Sequence, residues 1–152
     1  MNIFYLHRDP YKAASMMCDK HVVKMILETA QLLSTAHHEL DGKSPAYKPT
    51  HKNHPSAIWA RSSDDHYSWL VFHLDALSNE YTRRYNRVHR TISEHFDSLS
   101  TLPTNIPRSG YQDPPQCMPN ECKLPDAVDG YRNYYKFKNA EWIERGMPMV
   151  FS

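Results

Sequence analysis

Val22, Met25, Ile26, Thr29, Leu32, Leu33 and Ala36 recur at three- and four-residue spacing, a period that commits the first third of the chain to an amphipathic helix. Lys20, His21, Lys24, Glu28, Gln31 and Thr35 gather on another face of it. Asp9-Pro10 supplies a start, because aspartate caps and proline suits the first helical position. The pattern predicts helix over 10–40, with a break near Cys18-Asp19 and an end around His38–Asp41, before Gly42. A second long helix is predicted from a cap at Ser63 or Asp64 to about His89 or beyond. Its core face is Tyr67, Leu70, Val71, Leu74, Leu77, Tyr81 and Val88. A short helix over 56–61 and a last one over 127–144 complete the set, the last with Tyr131, Tyr134, Tyr135 and Trp142 prominent.

Other stretches resist regular structure. Pro45, Pro49 and Pro55 make residues 42–55 a loop. Pro103, Pro107, Pro114, Pro115, Pro119 and Pro125 exclude regular helix or central strand across 100–126. A loop of that length inside a compact domain is expected to be an ordered wrap over the surface. Residues 1–8 alternate weakly and read as an extended arm. The expected architecture is all-α: a compact single domain, 1–152, of about three long helices with a long proline-rich ordered loop.

The 152 residues suffice to bury one core without staples. The longest apolar runs, such as 69–72, are far too short to span a bilayer, and MNIFYLHRDP, with no basic start, apolar stretch and small-residue cleavage site, does not read as a secretory signal. Cys18, Cys117 and Cys122 form an odd set without framework spacing, which reads as reduced thiols in a cytoplasmic protein, the host's cytoplasm if the source is viral. A formal net charge of +1 argues neither for nor against a nucleic-acid partner. Neither GxxxxGK[ST] nor GxGxxG occurs, and no cofactor is expected.

Four constellations carry possible chemistry. In DKHVVKMILETAQ, residues 19–31, His21 and Glu28 stand two helical turns apart with Lys24 between them. A carboxylate flanked by cations stays ionised while partly buried and serves as general base or cation stabiliser; the plainer reading is a solvated face with an i,i+4 ion pair. In HKNHP, residues 51–55, His51 and His54 suit phosphate or metal, or simply backbone hydrogen bonds. Zinc needs further ligands at recognisable spacing, and Cys117 and Cys122 do not supply it, so no metal site is expected. In RRYNRVHR, residues 83–90, Arg83, Arg84 and Arg87 fall at spacings that suit phosphate, as a solvated helix end also would. Arg84 and His89 match the R-x4-H spacing of the small helical RNase domains called HEPN. Last, YRNYYKFK, residues 131–138, followed by Trp142 and Arg145, alternates aromatic and basic residues as nucleic-acid surfaces do; an amphipathic helix docking tyrosines into the core reads the same way.

The order of these features resembles a known family. D-K-H-x6-E follows an N-terminal arm; N-H-P, residues 53–55, and Trp59 come next; then a long helix ends with Glu80 and Arg84. This resembles the pyrimidine-dimer DNA glycosylase superfamily, typified by the bacteriophage endonuclease V that incises at ultraviolet photoproducts, and short phage proteins that begin much like this one. The resemblance implies a compact all-α enzyme that bends DNA and flips a base, with an N-terminal α-amine attacking the sugar C1′ and a glutamate on the first helix assisting. α-Amines ordinarily titrate close enough to neutrality to be nucleophilic there.

Carried over, Glu28 takes the glutamate's place, His21 its neighbour's, and Lys24 orients it or touches phosphate. In the family the amine is exposed by removing Met1 ahead of a small residue. Asn2 opposes that removal, so the amine here belongs to Met1, with Lys20 or Lys24 as alternative imine formers. Gln31 stands where a basic residue is expected. His51, Asn53 and His54 are expected at the pocket mouth, and Lys20, Gln31, Arg83, Arg84 and Arg87 against double-stranded DNA. The expectation is a monomeric DNA glycosylase with possible lyase activity. The alternatives are a non-catalytic nucleic-acid- or nucleotide-binding viral protein, a His-rich metal enzyme, and a HEPN-like RNase.

Overall fold

The computed structural model describes residues 1–144, and side-chain surroundings for residues 1–140. Among the described residues there are six α-helices and no strand. α1 runs Pro10–Met16, α2 Asp19–Asp41, α3 Pro55–Ser62, α4 Asp64–Tyr85, α5 Arg90–Leu99 and α6 Ala127–Glu144. No described helix is long and apolar enough to cross a membrane.

Local chemistry sets the boundaries. Asp9 caps α1 by accepting from Tyr11 N and Lys12 N, with Pro10 in the first turn. Met17 and Cys18 are extended, so the expected break separates α1 from α2. Gly42 ends α2 in the left-handed region, φ +79°, its N–H returning to His38 O at 2.9 Å.

α4 is shorter than the sequence pattern suggests. Asn86 adopts φ +56° and closes the helix at Tyr85 rather than at His89. Asparagine tolerates that conformation because its short polar side chain offsets part of the steric cost. Val88 consequently leaves the expected core face and is 60 % exposed. A separate helix, α5, then begins at Arg90, and its Leu99 is fully buried.

α2 and α4 form the centre, with α1 packed on α4, α3 against both and α5 on α2. The N-terminal arm is core rather than fringe: Ile3, Phe4, Tyr5 and Leu6 are all buried. Ring donors pin irregular chain to this core. Trp69 Nε1 donates to Arg8 O at 2.8 Å, Trp59 Nε1 to Gln112 O at 2.9 Å and Tyr131 OH to Pro115 O at 2.8 Å. The proline-rich segment is an ordered wrap, because its backbone groups find partners of this kind. Asp41 accepts from Thr104 N and Asn105 N, and Asp64 N donates to Pro107 O.

Candidate active site

The start of the chain is fixed by its second residue. Asn2 Oδ1 accepts from Ile3 N at 2.9 Å and Phe4 N at 3.3 Å, while its Nδ2 donates to Cys117 O at 2.8 Å. Phe4 follows in the left-handed region, φ +56°, an unusual place for a bulky residue. Its ring thereby stacks on His21, with centroids 3.9 Å apart and planes 18° apart.

This anchoring brings Met1 to a cleft of about 540 Å³. Lys20, His21, Lys24 and Glu28 of α2 form one wall. His54 closes the α3 side, and Cys117, Tyr134 and Lys138 come from the wrap and α6. The α-amine lies close enough to His54 for its charge to act on the ring, adding to burial in holding that imidazole below its ordinary value.

Glu28 is the acidic residue of this lining. Its side chain is 17 % exposed and Lys24 Nζ stands 3.6 Å from Oε2, which is too long for a hydrogen bond. Oε2 is buried and makes no hydrogen bond, so that oxygen is held by the Lys24 charge. An under-bonded carboxylate is a competent proton acceptor and a stabiliser of a nearby cation.

His21 is set apart from the exposed lysines of the same stripe. Burial, joined by the charges of Lys24, Lys20 and Lys138, pushes its pKa down to about 3, so the ring is neutral near pH 7. Its Nδ1 lies 2.7 Å from Tyr135 OH. Burial raises the Tyr135 hydroxyl, which therefore keeps its proton. Tyr135 also lies 3.8 Å from Cys18 Sγ, whose thiol burial pushes up.

The structure thus gathers Met1, Asn2, Lys20, His21, Lys24, Glu28 and His54 at one cleft. The other expected residues lie outside its lining. Gln31 sits further along α2 and is half-buried. His51, at φ +49°, faces a smaller depression with His38 and Lys52, and Asn53 is exposed. Arg83 is paired with Glu80 at 2.7 Å, and Arg87 lies over the Tyr81 ring.

Arg84 has an architectural place. Its side chain is 13 % exposed, and its guanidinium pairs with Glu80 and Asp19 and donates to Met17 O and Ser15 O at the end of α1. The R-x4-H pair is likewise divided, because His89 accepts from Thr91 N to start α5. No group of three or more His, Cys, Asp or Glu among the described residues could hold a metal ion.

Sequence reasoning left Phe4, Cys117, Tyr134 and Lys138 out of this site. The YRNYYKFK stretch divides between its two readings: Tyr131 and Tyr135 are core, whereas Tyr134 and Lys138 face the cleft. Alternation of aromatic and basic residues was the only signal available. The Trp142 side chain and Arg145 lie outside the described residues.

Residues 1–93 match the model of a family described as pyrimidine dimer DNA glycosylase. No curated protein and no solved structure matches.

Proposed function

The chain belongs to the pyrimidine dimer DNA glycosylase family, and on that premise we propose that it removes a damaged or modified base from double-stranded DNA and then cleaves the strand. The observation that carries this reading is the shared cleft of Met1 and Glu28. A nucleophilic amine and a carboxylate facing one cavity are the two groups that imine chemistry at a deoxyribose needs.

The Met1 amine attacks C1′, forming a C–N bond while the bond to the base breaks and its electron pair leaves with the base, which takes up a proton from solvent. Glu28 accepts the proton that the attacking nitrogen sheds. The nitrogen lone pair then expels the ring oxygen, which takes that proton from Glu28, and an iminium remains. Loss of a C2′ proton drives β-elimination and releases the 3′ phosphate. Glu28, close to the iminium, also lowers its energy by charge. His21, neutral and braced by Tyr135 and Phe4, orients the Glu28 side of the cleft. Lys20 and Lys138 supply charge for the phosphates.

Glu28→Gln is expected to cut base release by roughly 10²- to 10⁴-fold with DNA binding retained. Borohydride should trap the wild-type protein on abasic-site DNA, with the adduct in the Met1–Arg8 tryptic peptide. An adduct on the peptide that carries Lys24 reassigns the nucleophile. Unchanged base release in Glu28→Gln would refute the reading.

A further inference from the structure

Histidine is an uncommon helix N-cap, because Ser, Thr, Asp and Asn fill that position best. Two helices here begin on one. His54 Nδ1 accepts from Ser56 N at 3.1 Å to start α3, and His89 Nδ1 accepts from Thr91 N at 3.1 Å to start α5. A ring nitrogen that accepts an N–H bears no proton, so each neutral imidazole carries its proton on Nε2. A serine would cap as well, but its short hydroxyl cannot carry a donor as far from the helix start as Nε2 does.

The two rings stand on opposite sides of one ridge. His54 lines the cleft with Met1. His89 lines a second cleft of about 640 Å³ with Tyr47, His95 and the Arg90–Glu94 ion pair. Lys24 and Glu28 line both and so form the ridge between them. Neighbouring contacts fix each ring. Asn2 Nδ2 donates to Cys117 O, Cys117 Sγ lies 3.5 Å from Ser56 Oγ, and Ser56 N meets His54, so the arm and His54 are tied together. His89 stands edge-on to Tyr81 with centroids 5.1 Å apart.

We propose that a DNA strand crosses this ridge, and that His54 and His89, one on each side of Glu28, each donate Nε2–H as an uncharged ligand to one of its phosphates. The proposal rests on the DNA-acting reading above and adds the path of the strand. Burial holds both imidazoles below their ordinary values, with the α-amine reinforcing it at His54 and Arg87 at His89, so both rings are neutral near pH 7.

An uncharged contact has a measurable signature. A lysine or arginine on a phosphate releases a counterion and adds about 0.9 to the salt slope of binding, whereas a neutral donor adds affinity without slope. The probe is a duplex with one tetrahydrofuran abasic analogue, which binds without reacting, titrated by fluorescence anisotropy from 50 to 200 mM salt. His54→Ser and His89→Ser keep a good N-cap and are expected to melt like the wild type. Each should lose roughly five- to tenfold in affinity with the slope unchanged. Lys20→Ala should lower the slope by about 0.9.

Wild-type affinity in both serine variants, or a slope that falls by about one unit in either, overturns the proposal. If a serine variant melts early, His54→Thr and His89→Thr take its place under the same criteria. A wild-type protein that binds no DNA overturns this proposal and the proposed function together. A wild-type protein that binds with the expected slopes yet releases no base overturns only the glycosylase reading.

Discussion

Acidification from pH 7 to pH 5 should cost the native state about 4 kcal/mol through two buried imidazoles, His21 and His73, at about 2 kcal/mol each. His73 is fully buried beneath Trp69, gives Nδ1–H to Pro10 O at 3.1 Å, and leaves Nε2 without a partner. Burial pushes it down to about 4, and His21 down to about 3, from an ordinary 6.5. Above pH 6.5 both states are neutral and nothing distinguishes them. Below it the unfolded chain takes up protons that the native state refuses, so stability declines until the folded values are reached. The carboxylates held low by their partners, Glu80 among them, lose their contribution only below the ordinary carboxylate range, outside this window.

Other partly buried histidines, His37 and His66 among them, shift the same way, so a single-site variant isolates the effect. His73→Leu removes one titration, and its drop between pH 7 and pH 5 should be smaller than the wild type's by about 2 kcal/mol. The lost bond to Pro10 O offsets the whole curve without changing its slope. Urea unfolding at pH 7, 6 and 5, followed by tryptophan fluorescence and circular dichroism, gives both curves. Parallel curves would refute neutral burial of His73, and a wild-type stability that stays flat from pH 7 to pH 5 would refute it for both rings.

Two further outcomes follow from packing. Arg84→Met should destabilise by about 2–4 kcal/mol in thermal or urea melts, because Glu80 loses one of its two arginine partners and the Ser15 and Met17 carbonyls lose this donor, whereas Arg83→Met, at an exposed position, should leave the melt nearly unchanged; equal costs would show that the Arg84 network is not structural. Gly130→Ala would place a Cβ 1.9 Å from Gln116 Oε1, and Gln116 holds Leu124 through both N and O. Its melting temperature should fall by the equivalent of about 1–3 kcal/mol, with new proteolytic cleavage within 116–124; an unchanged melt and cleavage pattern would contradict it.

The sequence alone determined what depends on neighbours along the chain. Period-3.6 patterning and the Asp9-Pro10 and Gly42 signals located α1 and α2, because caps act within one helical turn. The D-K-H-x6-E spacing likewise put His21, Lys24 and Glu28 on related faces of α2 without any tertiary information. Only the tertiary structure decided how these residues differ: it buried His21 against Phe4 and Tyr135, left Lys24 at the surface, and held Glu28 between. It also separated the arginines, turning Arg84 onto the end of α1, a contact set by how α4 crosses α1 rather than by any pattern within 83–90.

Tertiary packing likewise assembled the cleft from distant parts of the chain, with Asn2 reaching Cys117 and α6 contributing Tyr134 and Lys138. No periodicity records such meetings, because they depend on where an irregular wrap of 27 residues, numbered 100–126, returns the chain. The two capping histidines were least legible of all. A histidine beside a proline or an arginine is compatible with many roles, and only the position of its Nδ1 against the next turn's N–H fixes which nitrogen faces outward.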